Sequence, residues 1–198
     1  NLKETKLNLK KRKNEIVNEA NSYTEEVRKT VKNIYGFEKL YSQGLSISTP
    51  LKINYQIQAL KSLRKGIEDY DRRKGWRGAI TNKIKNKNRK KTISQYKLDP
   101  TLNWEFAEIT SLDNSKIQFK IINKKKELKG NLFLNNIKWT IPQNKSIIDA
   151  HKVGDIIFVK NKNNIWLLKQ YPKVNGGIIA LDPFTGDVKA LVLSLIHI

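Results

Sequence analysis

The apolar residues of this 198-residue chain change their spacing once, near Gly78, and that change limits what it can fold into. Before Gly78 the period is helical. Val27, Val31 and Ile34 stand at i, i+4 and i+7 behind Ser22 and Thr24, which can cap, and Glu25 and Glu26, which suit the positive end of a helix. This predicts an amphipathic helix ending at Gly36. A second helix is predicted from Ile53, Ile57, Leu60, Leu63, Ile67 and Tyr70, which share one face, with Gly75 as its terminator. Between the two, Leu45 to Thr49 alternates as a short extended piece that Pro50 stops. After Gly78 the period is two. Strands are predicted at Asn103–Thr110, Lys116–Ile122, Asn131–Thr140, Asp155–Lys160 and Ile165–Tyr171. Turn chemistry stands between them at Asp113-Asn114, Lys129-Gly130, Gly154-Asp155 and Asn163-Asn164. In Lys152–Lys160 the Gly-Asp pair makes the turn, and Ile156 and Phe158 are expected to enter the core. A hairpin follows, Gly177–Leu181 and Asp187–Val192, around the Pro183 and Gly186 turn. The basic run Lys83–Lys91 reads as an exposed loop.

The fold class implied is α+β: N-terminal linker helices, then a small antiparallel OB-like β-barrel, then a terminal β-hairpin. The expected segments are 1–21 (linker), 22–78 (helical region), 79–174 (barrel), 175–192 (hairpin) and 193–198. An apolar content of 38% suffices for a packed core. No apolar run approaches the roughly 20 residues that a membrane helix needs. There is no Cys, which excludes disulfide scaffolds, thiolate zinc sites and cysteine nucleophiles. With no Met and no signal peptide at Asn1, the chain reads as a piece of something longer. The net charge of +21 raises nucleic acid or an anionic surface as a partner. However, the 32 Lys, 21 Asn and 24 Ile form the bias that AT-rich codons produce, and the Lys are spread over every segment.

Candidate chemistry is sparse. Ser62-x-x-Lys65 and Ser94-x-x-Lys97 have the spacing of an acyl-transfer nucleophile and its base, but composition alone yields about that many pairs, and no Ser-x-Asn or Lys-Thr-Gly accompanies them. His151 and His197 are isolated, and Glu68, Asp69 and Asp71 are expected to pair with Arg72 and Arg73. Gly75, Gly78 and Gly176-Gly177 lack the strand-then-helix setting of a phosphate loop. The expectation is no catalytic residue, no cofactor-binding residue and no metal ligand. As a rival to a purely structural barrel, Trp104, Phe106, Phe119, Phe133, Trp139, Phe158 and Trp166 are candidate base-stacking platforms of a standalone OB-type nucleic-acid module.

Three segments carry a resemblance. Glu25–Leu45, with Tyr35-Gly36-Phe37-Glu38-Lys39-Leu40-Tyr41-Ser42-Gln43-Gly44-Leu45, resembles the stretch after the glycosyltransferase domain of bifunctional class A penicillin-binding proteins of the 1A type. Leu63–Gly78, with Asp69-Tyr70-Asp71-Arg72-Arg73-Lys74-Gly75-Trp76-Arg77-Gly78, is similar to that family's helix leading into an OB-like insertion, and Gln170–Val192 to the opening hairpin of its transpeptidase domain. Ser48-Thr49-Pro50-Leu51-Lys52 departs from the family's Thr-Thr-Leu-Asp-Pro. The resemblance implies a noncatalytic part of a peptidoglycan synthase. Its glycosyltransferase glutamates would lie upstream of Asn1 and its transpeptidase Ser-x-x-Lys beyond Val192. It further implies a barrel that spaces the catalytic domains and docks a periplasmic or outer-membrane activator. The parent would act on lipid II and glycan strands at the periplasmic face of the bacterial inner membrane, with nucleic acid disfavoured as a partner. Leu193–Ile198 departs from the family's glycines and resembles a translated sequencing adaptor, so it is set aside from the fold.

Overall fold

The computed structural model describes residues 18–84, 89–96, 98–122 and 127–193. The expected linker therefore lies almost wholly outside the described residues, as do much of the basic run and the tail beyond Leu193. The molecule is α+β, with two long helices, a curled antiparallel sheet and a separate two-stranded hairpin.

Helix α1 (Asn21–Ser42) follows a short 3-10 turn at Asn18–Ala20. Ser22 lies inside it and does not cap it; its hydroxyl donates to the Leu193 carbonyl. Gly36 ends the regular part as expected, since φ +82° and ψ 170° are not helical, but the chain then re-enters a helix over residues 37–42. The buried stripe is Tyr23 and Val31, whereas the expected Ile34 is 66% exposed. Leu45–Thr49 forms no strand.

Helix α2 (Ile53–Arg73) ends at Gly75, whose φ is +87°. Its buried face is rotated from the expected one. Gln56, Ala59, Leu60, Leu63, Ile67 and Asp71 are buried, while Ile53 and Tyr70 are exposed. The rotation arises because two polar residues, Gln56 and Asp71, find buried partners that apolar periodicity does not register.

The sheet contains β1 (Thr81–Asn82), β2 (Glu105–Leu112), β3 (Lys116–Ile121), β4 (Lys129–Phe133), β5 (Asp155–Lys162) and β6 (Ile165–Lys169). It runs in the order β1-β5-β2-β3-β4, and β6 also pairs with β5. All pairs are antiparallel. Four sequence expectations need correction. The predicted strand over 131–140 stops at Phe133 and gives way to short helix α4 (Leu134–Ile137) and a 3-10 turn (Lys138–Thr140). The basic run is not all loop: from Arg89 it enters helix α3 (Arg89–Ser94). Lys129-Gly130 is in strand β4, not in a turn. In β5 it is Ile157 and Val159 that enter the main core, and Phe158 packs on the opposite side.

Gly130 explains how the sheet curls. A Cβ there would lie 2.5 Å from Phe119 Cζ and 2.7 Å from Trp166 Nε1, so only glycine lets β4 approach β6 this closely. The core enclosed includes Ala107, Ile109, Phe119, Leu132, Ile157 and Leu168. Asn163 and Asn164, both at positive φ, close the β5–β6 turn. Helix α5 (Ile147–Ala150) starts with a Ser146/Asp149 capping box. The hairpin β7 (Gly177–Leu181) and β8 (Val188–Leu193) packs Ala190 and Val192 on Leu60, Leu63 and Ile67 of α2. Leu193 thus belongs to the strand, paired with Gly177, although it was set aside with the tail.

Candidate functional site

The densest polar constellation sits where the chain leaves α2 for the sheet and returns from it. Asp71, 3% exposed, accepts a two-pronged pair from Arg77, with Nη1 to Oδ1 at 2.8 Å and Nη2 to Oδ2 at 2.9 Å. Gln170 Nε2 donates to the same carboxylate at 2.8 Å and to the Gly75 carbonyl at 3.1 Å. The Lys173 amide donates to Asp71 at 3.2 Å, and Arg77 Nη2 donates to the Tyr171 carbonyl at 2.7 Å. The Arg77 amide closes the circuit on Gln170 Oε1 at 2.9 Å. Burial alone would raise the Asp71 carboxyl, but the hydrogen bonds from Arg77, Gln170 and Lys173 outweigh it and hold the group below its ordinary range.

Asp71 is the last rung of a polar stripe along α2, spaced at i, i+4 and i+7. Arg64 donates to Asp99 at 2.7 Å and to Thr101 Oγ1 at 2.6 Å. Glu68 pairs with Lys169 at the end of β6. The sequence expectation that Glu68 and Asp71 pair with Arg72 and Arg73 is thus corrected: their partners come from the barrel. Arg72 instead lies over the Trp139 ring at 5.2 Å and Arg73 over Tyr70 at 5.8 Å. Nearer the start of α2, the Gln56 amide donates to the Glu19 and Leu191 carbonyls and accepts from the Leu191 amide, each at 2.9 Å. One helix therefore holds the barrel by polar contacts and the hairpin by apolar packing together with the Gln56–Leu191 hydrogen bonds.

The other residues singled out in the sequence are placed as follows. Ser62 is exposed on α2. Ser94 donates its hydroxyl to the Lys91 carbonyl at 2.8 Å, and Lys97 lies outside the described residues, as does His197. His151 is 1% exposed, 2.8 Å from Thr140 Oγ1 and 5.4 Å from the Trp76 ring, and burial lowers it to about 4. Among the described residues no cluster of His, Cys, Asp and Glu could hold a metal ion. Of the seven proposed stacking platforms, Trp104, Phe119 and Phe158 are buried, Phe106, Trp139 and Trp166 are half-buried, and only Phe133 is exposed.

Arg77, Gln170 and Tyr171 were not singled out as site residues. The available signal was positional, since the matching segments at 63–78 and 170–192 flank the barrel, and flanks that recur together are the places where entering and leaving strands must be tied.

Between those strands lies a half-open cavity of about 250 Å³. It forms because β1 and β6 occupy one edge of β5 end to end, β1 reaching Ile156 and β6 starting at Phe158. Ile157, which lies between these two pairings, lines the gap together with Phe158.

The sequence model of the family described as penicillin-binding protein OB-like domain matches residues 76–174. The chain is 32% identical over 186 residues to penicillin-binding protein 1A of Rickettsia felis, covering 93% of this chain and 23% of the relative. It is also 32% identical over 195 residues to penicillin-binding protein 1A of Rickettsia prowazekii, with the same coverage. The protein of that name from Neisseria gonorrhoeae is 29% identical over 175 residues, 85% of this chain and 22% of the relative. The chain thus spans less than a quarter of the length of these relatives.

Proposed function

Since the chain belongs to the penicillin-binding protein OB-like domain family, we propose that it is the noncatalytic central part of a 1A-type peptidoglycan synthase. In this reading the barrel is a rigid spacer between a glycan-polymerising domain and a peptide-cross-linking domain, and a docking platform for a regulatory protein. The parent works on lipid II and glycan strands at the periplasmic face of the inner membrane. The observation that carries the spacer role is the double attachment of α2. Arg64, Glu68 and Asp71 bind the barrel, while Leu60, Leu63 and Ile67 bind the hairpin. A helix gripped along two adjoining faces fixes the angle between them.

Gly75 and Gln170 are in hydrogen-bond contact, so the barrel enters and leaves through one point and can be replaced by a short glycine bridge. In the full-length protein, excising 79–174 in this way is expected to leave β-lactam labelling and glycan polymerisation individually measurable. Cross-linked product per polymerised strand should fall. Loss of labelling with the fold intact would place catalytic groups inside the barrel and overturn the proposal.

A further inference from the structure

We infer that the cavity between the segments that enter and leave the barrel is a docking pocket for an acidic peptide segment that inserts one aromatic side chain. This deepens the proposed function and rests on its docking half, since it names the surface and the chemistry of the partner.

The walls are apolar and aromatic. Ile80, Tyr96, Phe158 and Tyr171 line the cavity, and the Tyr96 ring stands edge-on to both Phe158 and Tyr171 with centroids 5.3 Å apart. About 250 Å³ is below the usual 300–1,000 Å³ of a small-molecule site and close to the size of one large side chain. The occupant is therefore an anchor residue, with the rest of its chain outside.

The rim selects charge. Arg77, Lys169 and Lys173 line the cavity and no carboxylate does. Asp71 and Glu68 stand behind it, engaged by Arg77 and Lys169. Lys173 is exposed and, among the described residues, has no carboxylate partner. Lys169 is buried in its pair, so an acidic flank beside the anchor complements the exposed Lys173. The backbone selects a peptide. The Arg77 amide goes to Gln170 and the Ile80 amide to Ile156, but among the described residues no backbone hydrogen bond forms at the Gly78 or Ala79 amides. Gly78 is exposed and Ala79 half-buried, so these two amides are available to the carbonyls of a bound peptide.

The test uses the full-length protein and three fluorescein-labelled octapeptides: one rich in Asp and Glu with a central Trp, the same peptide with Ala for Trp, and the same with Lys for the acids. Anisotropy should show binding of the first, roughly tenfold weaker binding of the second and none of the third. The exposed substitution Lys173→Glu should weaken the first peptide by about fivefold while leaving thermal stability unchanged. Hydrogen exchange at residues 77–80 should slow on binding. Equal binding of all three peptides, indifference to Lys173→Glu, protection elsewhere on the molecule, or no binding would each overturn the inference. Preference for free muramic acid over the Trp peptide would do the same. The barrel-excision result is independent of these outcomes, so a failed pocket is distinguishable from a failed spacer.

Discussion

His151 is a buried histidine with a single hydrogen-bond partner, the Thr140 hydroxyl, and its Nδ1 has none. Folded, its ring titrates near 4, against 6.5 for an unperturbed one. Between those values the unfolded chain binds a proton that the folded chain refuses, so this contribution to stability is complete above pH 6.5 and declines as pH falls toward 4. The loss amounts to about 3 kcal/mol. Urea midpoints measured from pH 7.5 to 4 should show this slope, and His151→Asn should flatten it. Gly130 is a second single-residue test. Gly130→Ala forces a methyl against Phe119 and Trp166 and should cost roughly 1–3 kcal/mol in a denaturant titration. Neither role was readable beforehand. A lone His and a Gly beside Lys129 look the same in sequence whether buried or in a turn. The parity of β5 was misread for a related reason: residues 155–159 are all buried, so alternation offered no contrast between its two faces.

At the scale of elements, periodicity located both long helices and most strands because most of them have one apolar face and several are followed by a Gly or Asn turn. It failed where burial is polar. Gln56 and Asp71 turn the inner face of α2 away from Ile53 and Tyr70, and the irregular alternation after Leu132 did not by itself show that Leu134–Ile137 turns helical. The clamp at Asp71 is the element-level prediction. Asp71→Ala leaves Arg77 half-desolvated without its carboxylate and the Gln170 amide short of an acceptor, and should cost roughly 2–4 kcal/mol. Replacing both Asp71 and Arg77 by Leu and Met should recover part of that loss in a double-mutant cycle. Because the Asp71 carboxyl is held below its ordinary range, its contribution is present above about pH 4 and disappears as acid protonates the folded group. Asp71→Asn should remove that acid limb.

For the whole molecule, the order of helices, barrel and hairpin was legible, and so was the family, because segments of fixed order flank the insertion. The contacts that unite the parts were not legible. Glu68 with Lys169 and Asp71 with Gln170 are separated by about a hundred residues in sequence, and local pattern carries no information on such pairs. The central claim is that α2 fixes the barrel relative to the hairpin. The chain has no Cys, so spin labels can be placed selectively at Asn114, in an exposed barrel turn, and at Phe184, 96% exposed at the hairpin tip. The most direct measurement is the electron–electron distance distribution between these labels. One narrow peak is expected, broadening in Asp71→Ala; a broad distribution with Asp71 in place would show that α2 does not hold the barrel against the hairpin.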